Sequence, residues 1–572
     1  MSQTSLEKAK LWASNEAIDT DSRQEIQALI DSGNEKEIEE RFYRDLEFGT
    51  GGMRAILGQG TYRLNKYNIR KATHAVSQVV LKEKPQGAKV AISYDSRRFS
   101  LEFAKEAATV FAANGITALI YDRLNPVPLC SFAIRHNECQ AGVMVTASHN
   151  PPEYNGFKVF WSDGAQVTPP NDKMIIDEFN SIQDYGDIPL VDFNKALNDG
   201  LIKWMGEETE KEYYQAIKEN SLGLSMTQEH GEKLKIVYTA LHGTGWHCCS
   251  RALNDLGLTQ IISVKEQQEP DGNFPTVSSP NPENPEALAL AVEAMKKEGA
   301  DIALGTDPDT DRVGIALEHE GQTHYINGNQ IGILMLHYIC KQHTQKGSMP
   351  AHPYFVKTIV TTELQTKIAK SFGVAHENTL TGFKWICGEV NKIEKNSPER
   401  NFIFGTEESF GYLNHGNVRD KDGVASVALV SEIALYYKLQ GMNLIQALDA
   451  IYEEYGFSHE RLLSLNYYGK SGAEKINRIM ESFRTNTPKE ICGAEVESLT
   501  DYLKWDGPSS NVLGFSFSNG NKLFMRPSGT EPKIKFYIMI QENEGSLTEK
   551  KERAYALSQK FVDFIEDWAE RA

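Results

Sequence analysis

The sequence predicts an α/β protein of several domains. Short apolar runs of strand length alternate with helical stretches along most of the chain, the pattern of doubly wound α/β layers. Its 572 residues are too many for one hydrophobic core, which stops growing at roughly 250–300 residues; at ~150 residues per domain, about four domains are expected. Several strand-like runs end in loops rich in Gly, Pro, Asp and Ser, where open α/β sheets hold their ligands.

The bulk properties narrow the function. A formal net charge of -18 argues against a nucleic-acid binder, which would normally carry a basic patch. An anionic substrate would therefore need local Arg, Lys and backbone N–H groups, because the global field repels it. Seven cysteines without a C-x-x-C pair speak for a reducing compartment, most simply the cytoplasm, and against a disulfide framework or structural zinc. The first residues lack the apolar stretch of a signal peptide, and no window approaches 18 consecutive apolar residues, so no membrane segment is expected.

Taken in order, the first forty-odd residues read as helices. Asp21-x-x-Gln24 and Asn34-x-x-Glu37 resemble capping-box starts, Ile26, Leu29 and Ile30 share a face, and Gly33 is a stop. Phe48-Gly-Thr-Gly-Gly-Met-Arg54 follows, a glycine-rich turn with an arginine able to grip a phosphate. No Lys-Ser/Thr completes a Walker A loop. Lys89–Tyr94 and Ile116–Tyr121 read as strands around a helix from Leu101 to Asn114, with Asp95-Ser-Arg97 after the first. The stretch from Leu190 to Gly206 is less regular, and Glu207–Asn220 reads as a surface helix.

The apolar run Ala141–Val145 leads into Thr146-Ala-Ser-His-Asn-Pro-Pro152, where two prolines force a loop. Ser148 and His149 then stand at a strand's carboxyl end, where a hydroxyl can act as a nucleophile or carry a covalent group. The G-x-S-x-G elbow of serine hydrolases is absent, since Thr146 and Asn150 occupy the glycine positions.

Three later loops add to this. Strand-like Ala300–Leu304 delivers Gly305-Thr-Asp-Pro-Asp-Thr-Asp-Arg312. If that loop is extended, alternation points Asp307, Asp309 and Asp311 the same way, toward a hard cation. An EF-hand is disfavoured, because Arg312 sits where that loop needs glycine and strands flank it; Mg²⁺, which takes few carboxylates, fits better. Gly405-Thr-Glu-Glu-Ser-Phe-Gly411 offers Glu407 and Ser409 as partners for sugar hydroxyls, and reads equally well as an exposed turn. Arg526-Pro-Ser-Gly-Thr-Glu-Pro-Lys533, between strand-like runs, combines Arg526, Ser528, Thr530, Lys533 and backbone opened out at Gly529, a nest for a phosphate dianion.

Together these motifs resemble the α-D-phosphohexomutase superfamily, and the phosphoglucomutases within it. The resemblance covers nearly the whole chain. It rests on Thr146-Ala-Ser-His-Asn-Pro with Asn155-Gly-Phe-Lys158, Asp307-x-Asp-x-Asp311 with Arg312, Glu407-Glu-Ser409, and Arg526-Pro-Ser-Gly-Thr530, in the family's order. It implies four domains around a central cleft, three related α/β domains with mixed sheets and a smaller, mobile C-terminal α+β domain. The expected divisions are 1–206 with the phosphoserine, 207–322 with the metal, 323–458 with the sugar loop and 459–572 with the phosphate loop.

The resemblance further implies that Ser148 is the phosphoserine, that Asp307, Asp309 and Asp311 hold Mg²⁺, and that an oxygen of phosphorylated Ser148 is the metal's next partner. Arg312, Lys384, Glu407, Ser409, Lys421, Arg526, Ser528, Gly529, Thr530 and Lys533 would bind substrate. For proton handling Lys158, His149 and Arg54 are candidates, unranked by sequence. The implied reaction interconverts glucose 1-phosphate and glucose 6-phosphate through glucose 1,6-bisphosphate. Ala55 stands where the family commonly has glycine, and Gly51-Gly52-Met53 resembles a branch that includes phosphopentomutases, so pentose or mannose phosphates are the alternative substrates. A non-catalytic phosphosugar sensor is the alternative of another class, and the intact nucleophile and ligand set speaks against it.

Overall fold

A computed structural model describes residues 4–49, 51–467, 469–528 and 533–572. Its strands form four sheets, in chain order. The first contains β1 (Gly52–Ile56), β2 (Lys89–Tyr94), β3 (Thr117–Tyr121), β4 (Ala141–Val145), β5 (Tyr154–Trp161) and β6 (Ile202–Met205), in spatial order β1-β5-β4-β2-β3-β6. β4, β2, β3 and β6 run parallel, while β5 is antiparallel to β4 and to β1. Alternation along the strands buries both faces. Val90, Ile92, Val143 and Val145 meet the helices Lys66–Glu83 and Ser100–Ala113, whereas Ala91 and Met144 join the core that holds the helix Val127–His136.

The second sheet is built of β7 (Lys235–Thr239), β8 (Gln260–Ser263), β9 (Ile302–Thr306), β10 (Val313–His319) and β11 (Gln322–Ile326), ordered β11-β10-β9-β7-β8. The third has β12 (Pro353–Thr358), β13 (Ala375–Thr379), β14 (Asn401–Glu407) and β15 (Gly411–Leu413), ordered β13-β12-β14-β15. These three sheets share a plan. A parallel core ends in a strand that turns back into an antiparallel neighbour: β4 into β5, β9 into β10, β14 into β15. The fourth sheet is antiparallel throughout, with β16 (Phe457–Asn466), β17 (Glu490–Ile491), β18 (Ala494–Asp501), β19 (Leu513–Phe517), β20 (Lys522–Pro527) and β21 (Lys533–Glu542). The helix Leu547–Arg571 covers it through Phe561 and Ile565. Three mixed α/β units and a C-terminal α+β unit are thus the expected fold class.

Several local expectations are corrected. The second helix spans Thr20–Asp31 and its cap is Asp19, which accepts from Ser22 N–H at 2.9 Å, so Asp21 lies inside the first turn. Two aspartates separated only by Thr20 left the register open to sequence reading. Asn34 does cap the next helix. The helix Glu207–Glu219 is not confined to the surface: Tyr213 and Tyr214 are buried, and Phe132 packs edge-on against Tyr213 at 5.5 Å. The irregular stretch near residue 200 contains β6, whose exposed Lys203 and Trp204 hide the alternation of a strand. The expected boundary at residue 322 coincides with the start of β11, which belongs to the second sheet.

No helix is long and apolar enough to cross a membrane among the described residues. All seven cysteines are free.

His337, on the helix Gly328–Lys346, is buried between the rings of Phe372 and Tyr455 at 6.1 and 6.0 Å. Burial, with Lys341 nearby, lowers its pKa to about 4 from an ordinary 6.5. Between those values the unfolded chain binds a proton that the folded chain refuses, so stability falls as pH drops from about 6.5 to 4, by up to about 3 kcal/mol for this group. Denaturant unfolding of His337→Leu should lose less stability than wild type between pH 7 and 4.5; parallel pH profiles would show that this histidine is not responsible.

Candidate active site

The four loops singled out in the sequence all connect antiparallel neighbours: β4 to β5, β9 to β10, β14 to β15 and β20 to β21. Ser148 stands just beyond β4 with φ of 52°, a left-handed conformation that costs a non-glycine residue about 1–3 kcal/mol. The surroundings hold it there. Its N–H donates to Thr146 Oγ1 at 2.8 Å, and Thr146 donates to buried Asp95 at 2.6 Å. Its own hydroxyl donates to Asp307 Oδ2 at 2.7 Å and lies 3.1 Å from His149 Nδ1.

The aspartate loop is a turn, not the extended segment expected. Thr310 adopts φ of 51°, and its N–H donates to the Asp307 carbonyl at 2.9 Å. Folding back, rather than strand alternation, brings one oxygen from each of Asp307, Asp309 and Asp311 within 4.8 Å of one another. All three are buried. Asp307 Oδ1 accepts from the N–H groups of Asp311 and Arg312 at 3.1 and 3.0 Å, whereas Asp309 Oδ1 and Asp311 Oδ1 make no hydrogen bond among the described residues. Burial, reinforced by Asp309 and Asp311, holds the Asp307 carboxyl well above the usual carboxylate range. Orphaned buried oxygens and mutual repulsion are both relieved by a divalent cation, so the donor set fits a hard metal ion.

Lysines from a strand of the first sheet and from a loop of the third unit answer part of this charge. Lys158, on β5, reaches Asp309 at 2.8 Å and Asp311 at 3.3 Å, and Lys421 reaches Asp311 at 3.3 Å. Burial opposes both ammonium groups, but Asp309 and Asp311 hold Lys158 above its ordinary pKa, and Asp311, Asp420 and Glu407 do the same for Lys421. Burial likewise opposes the Asp311 carboxylate, yet Lys421, Lys158 and Arg312 hold it below its usual range. Arg312 is itself fixed by an ion pair with Glu283.

His149 is different. Burial beside Arg312 and Arg54 keeps its imidazole well below the ordinary pKa, hence neutral. Arg54, on β1, donates to Asn150 Oδ1 at 2.8 Å. Gly52 lets that strand in, because a Cβ there would come within 1.9 Å of the Phe157 carbonyl.

Around the sugar-loop candidates, Glu407 is buried at the end of β14, and burial with Glu408 nearby raises its carboxyl to about 7 despite Lys421. Ser409 donates to Glu408 at 3.3 Å, and Thr358 donates to Glu408 at 3.0 Å. A cavity of about 270 Å³ opens between this loop and the C-terminal unit, lined by Glu408, Ser409, Arg461 and Lys535 among others. Lys384 lies over the Trp385 ring at 4.9 Å. In the last loop Ser528 N–H donates to the Lys533 carbonyl at 2.8 Å, while Gly529 and Thr530 fall outside the described residues.

Sequence reading missed Lys535. It pairs directly with Arg526 across β20 and β21, so the two side chains share a face. The signal was present, since alternation from Lys533 puts Lys535 on the same side. Asp95, Thr146 and Glu283 were missed too, because their roles depend on partners far away in the chain.

Models of phosphoglucomutase/phosphomannomutase α/β/α domains I, II and III match residues 45–186, 211–321 and 327–455 in succession. The protein therefore belongs to the phosphoglucomutase/phosphomannomutase family of the α-D-phosphohexomutase superfamily. Among its relatives is a phosphoglucomutase of Staphylococcus saprophyticus, 36% identical over 93% of this chain and 97% of that protein. A phosphoglucomutase of Staphylococcus aureus is 37% identical over 88% and 91%. The fold matches that of the Paramecium phosphoglucomutase pp63/parafusin in an open form, with a TM-score of 0.73 at 17% identity over 92% of this chain and 96% of that one. It also matches a phosphoglucomutase/phosphomannomutase family protein of Burkholderia thailandensis, with a TM-score of 0.66, 17% identity and coverage of 91% and 97%.

Asp309→Asn removes one carboxylate charge of the triad while keeping the shape. Titration calorimetry with Mg²⁺ or Mn²⁺ should show affinity reduced by more than the roughly 10–100-fold typical of an outer-shell partner. Unchanged affinity would mean that the triad is not the metal site.

Proposed function

We propose that the protein is a Mg²⁺-dependent phosphoglucomutase that interconverts glucose 1-phosphate and glucose 6-phosphate through phosphorylated Ser148 and glucose 1,6-bisphosphate. One observation carries the reading: the Ser148 hydroxyl lies 2.7 Å from Asp307, at the edge of a buried carboxylate triad. The named phosphoglucomutase relatives, similar along nearly the whole chain, support the sugar.

The metal would be held by Asp307, Asp309 and Asp311, and when bound it supplies charge neutralisation at the phosphoryl oxygens. The chain's own groups account for the rest. Phosphoryl transfer demands mainly positioning and charge stabilisation. Ser148 delivers its phosphoryl group to the free sugar hydroxyl, the Ser148 Oγ–P bond breaking as the sugar O–P bond forms. The hydroxyl proton leaves to a base of the site. The bisphosphate then turns over, and its other phosphoryl group returns to Ser148 Oγ.

Lys158, held cationic by two aspartates, serves as a charge partner and as the acid that returns a proton. Neutral His149, next to Ser148 Oγ, is available as the acceptor. Glu407 and Ser409 read the sugar hydroxyls, with Lys421, Lys384 and Arg312 beside them. Arg526, Ser528, Gly529, Thr530, Lys533 and Lys535 hold the phosphate that is not being transferred. Burial of Ser148 limits access of water to the phosphoserine. Seven free cysteines support a cytoplasmic location.

The test is turnover of glucose 1-phosphate, mannose 1-phosphate and ribose 1-phosphate with Mg²⁺ and catalytic glucose 1,6-bisphosphate. Wild type should favour glucose, Ser148→Ala should fall to background, and peptide mass spectrometry should find phosphate on Ser148. A ribose preference would overturn the sugar assignment. No turnover by phosphorylated wild type would overturn the enzyme reading.

A further inference from the structure

One buried cation has no place in the chemistry above. Arg97 is 3% exposed and lies beneath the Ser148 loop. Its Nη2 donates to the carbonyls of Ser148, at 2.5 Å, and of Asn150, and its Nη1 to those of Pro151 and Tyr154 at 3.0 and 2.9 Å. A single guanidinium thus gathers four carbonyls of the turn that bears the nucleophile. The planar fork of five N–H donors suits this, and an ammonium, with three donors on one atom, cannot reproduce it.

The guanidinium is held in turn. Asp95 lies 3.4 Å from its Nε and also receives the Thr146 hydroxyl, whose oxygen accepts from Ser148 N–H. On the other side Phe274 presents its ring 4.9 Å from the guanidinium carbon, a cation–π contact inside the protein.

Phe274 belongs to the proline-rich connection 270–285 of the second unit. That connection makes two further contacts with the same region: Asn273 accepts from Arg98 at 2.7 Å, and Ser279 donates to the His149 carbonyl at 2.9 Å. Gly272 makes the approach possible, because a Cβ there would come within 2.6 Å of Arg98 N and 2.7 Å of the Ser96 carbonyl. The second unit thereby holds the nucleophile loop from behind as well as supplying the aspartates in front.

We propose that Arg97 is a positioning residue for Ser148, and that the connection 270–285 acts on the nucleophile through Phe274 and Arg97. The inference rests on Ser148 as the phosphoryl carrier. Arg97 is tied to backbone carbonyls and to Asp95, so its loss should misplace the nucleophile while leaving the sugar loop and the aspartate triad in position. A misplacement of about 1 Å costs on the order of 100-fold in rate.

The experiment compares wild type with Arg97→Lys, Arg97→Ala and Phe274→Leu, reading kcat, KM, Mn²⁺ affinity, phosphate occupancy of Ser148 and folding by circular dichroism. The expected result is kcat about 100-fold lower in Arg97→Lys and about 10-fold lower in Phe274→Leu, with KM and Mn²⁺ affinity within about threefold of wild type. Methylguanidinium should restore part of the activity of Arg97→Ala. Folded Arg97 variants with wild-type kcat, or with a raised KM and unchanged kcat, overturn the proposal. If the Arg97 variants do not fold, Phe274→Leu decides, and wild-type kcat in that variant overturns it. Active wild type that carries no phosphate on Ser148 overturns the phosphoserine reading instead, and this inference with it.

Discussion

The site is governed by the concentration of negative charge that the protein must bury. Three carboxylates within 4.8 Å of one another repel strongly where water is excluded, and the proposed phosphoserine adds more. No one unit answers that charge. Lys158 comes from the first sheet, Arg312 from the aspartate loop itself, and Lys421 from the loop before the helix Gly423–Lys438. Removing any one of these three units would leave uncompensated buried charge in the others.

The units meet this demand by repeating one device. Each of the four loops joins antiparallel strands, three of them at the margin of a parallel core. A hairpin connection brings its flanking strands out and back at one point, so side chains at its tip are fixed by two strands rather than one. The same device carries different chemistry in each case: a hydroxyl, three carboxylates, two glutamates with a serine, and an arginine with a serine. The architecture repeats one connection, and the residues it carries differ from unit to unit.

Rigidity at Ser148 has a distinct source. Ser148 is held in a left-handed conformation by Thr146 and Asp95 and, beneath it, by Arg97. The proline-rich connection that caps Arg97 ties the position of the serine to the unit that bears the aspartates. The proposed nucleophile and metal ligands therefore share a frame, which phosphoryl transfer requires because its catalysis is chiefly positioning.

Much of this was legible in the sequence. Strand and helix periodicity marked the α/β alternation, and the four loops announced themselves by composition, because glycine, proline and clustered carboxylates are local signals of backbone conformation and charge. Local signals also misled: the aspartate loop is a turn, the cap of the second helix is Asp19, and β6 hides behind two exposed residues. What the sequence by itself determined was which residue types stand at strand ends and in what order. The tertiary structure alone decided which of them meet. Ser148 and Asp307 are 159 positions apart, Lys158 and Asp309 are 151, and Arg97 lies 51 from the serine whose carbonyl it holds. Contacts of that range depend on how strands and sheets assemble, and that assembly leaves no periodicity in the chain from which they could be read.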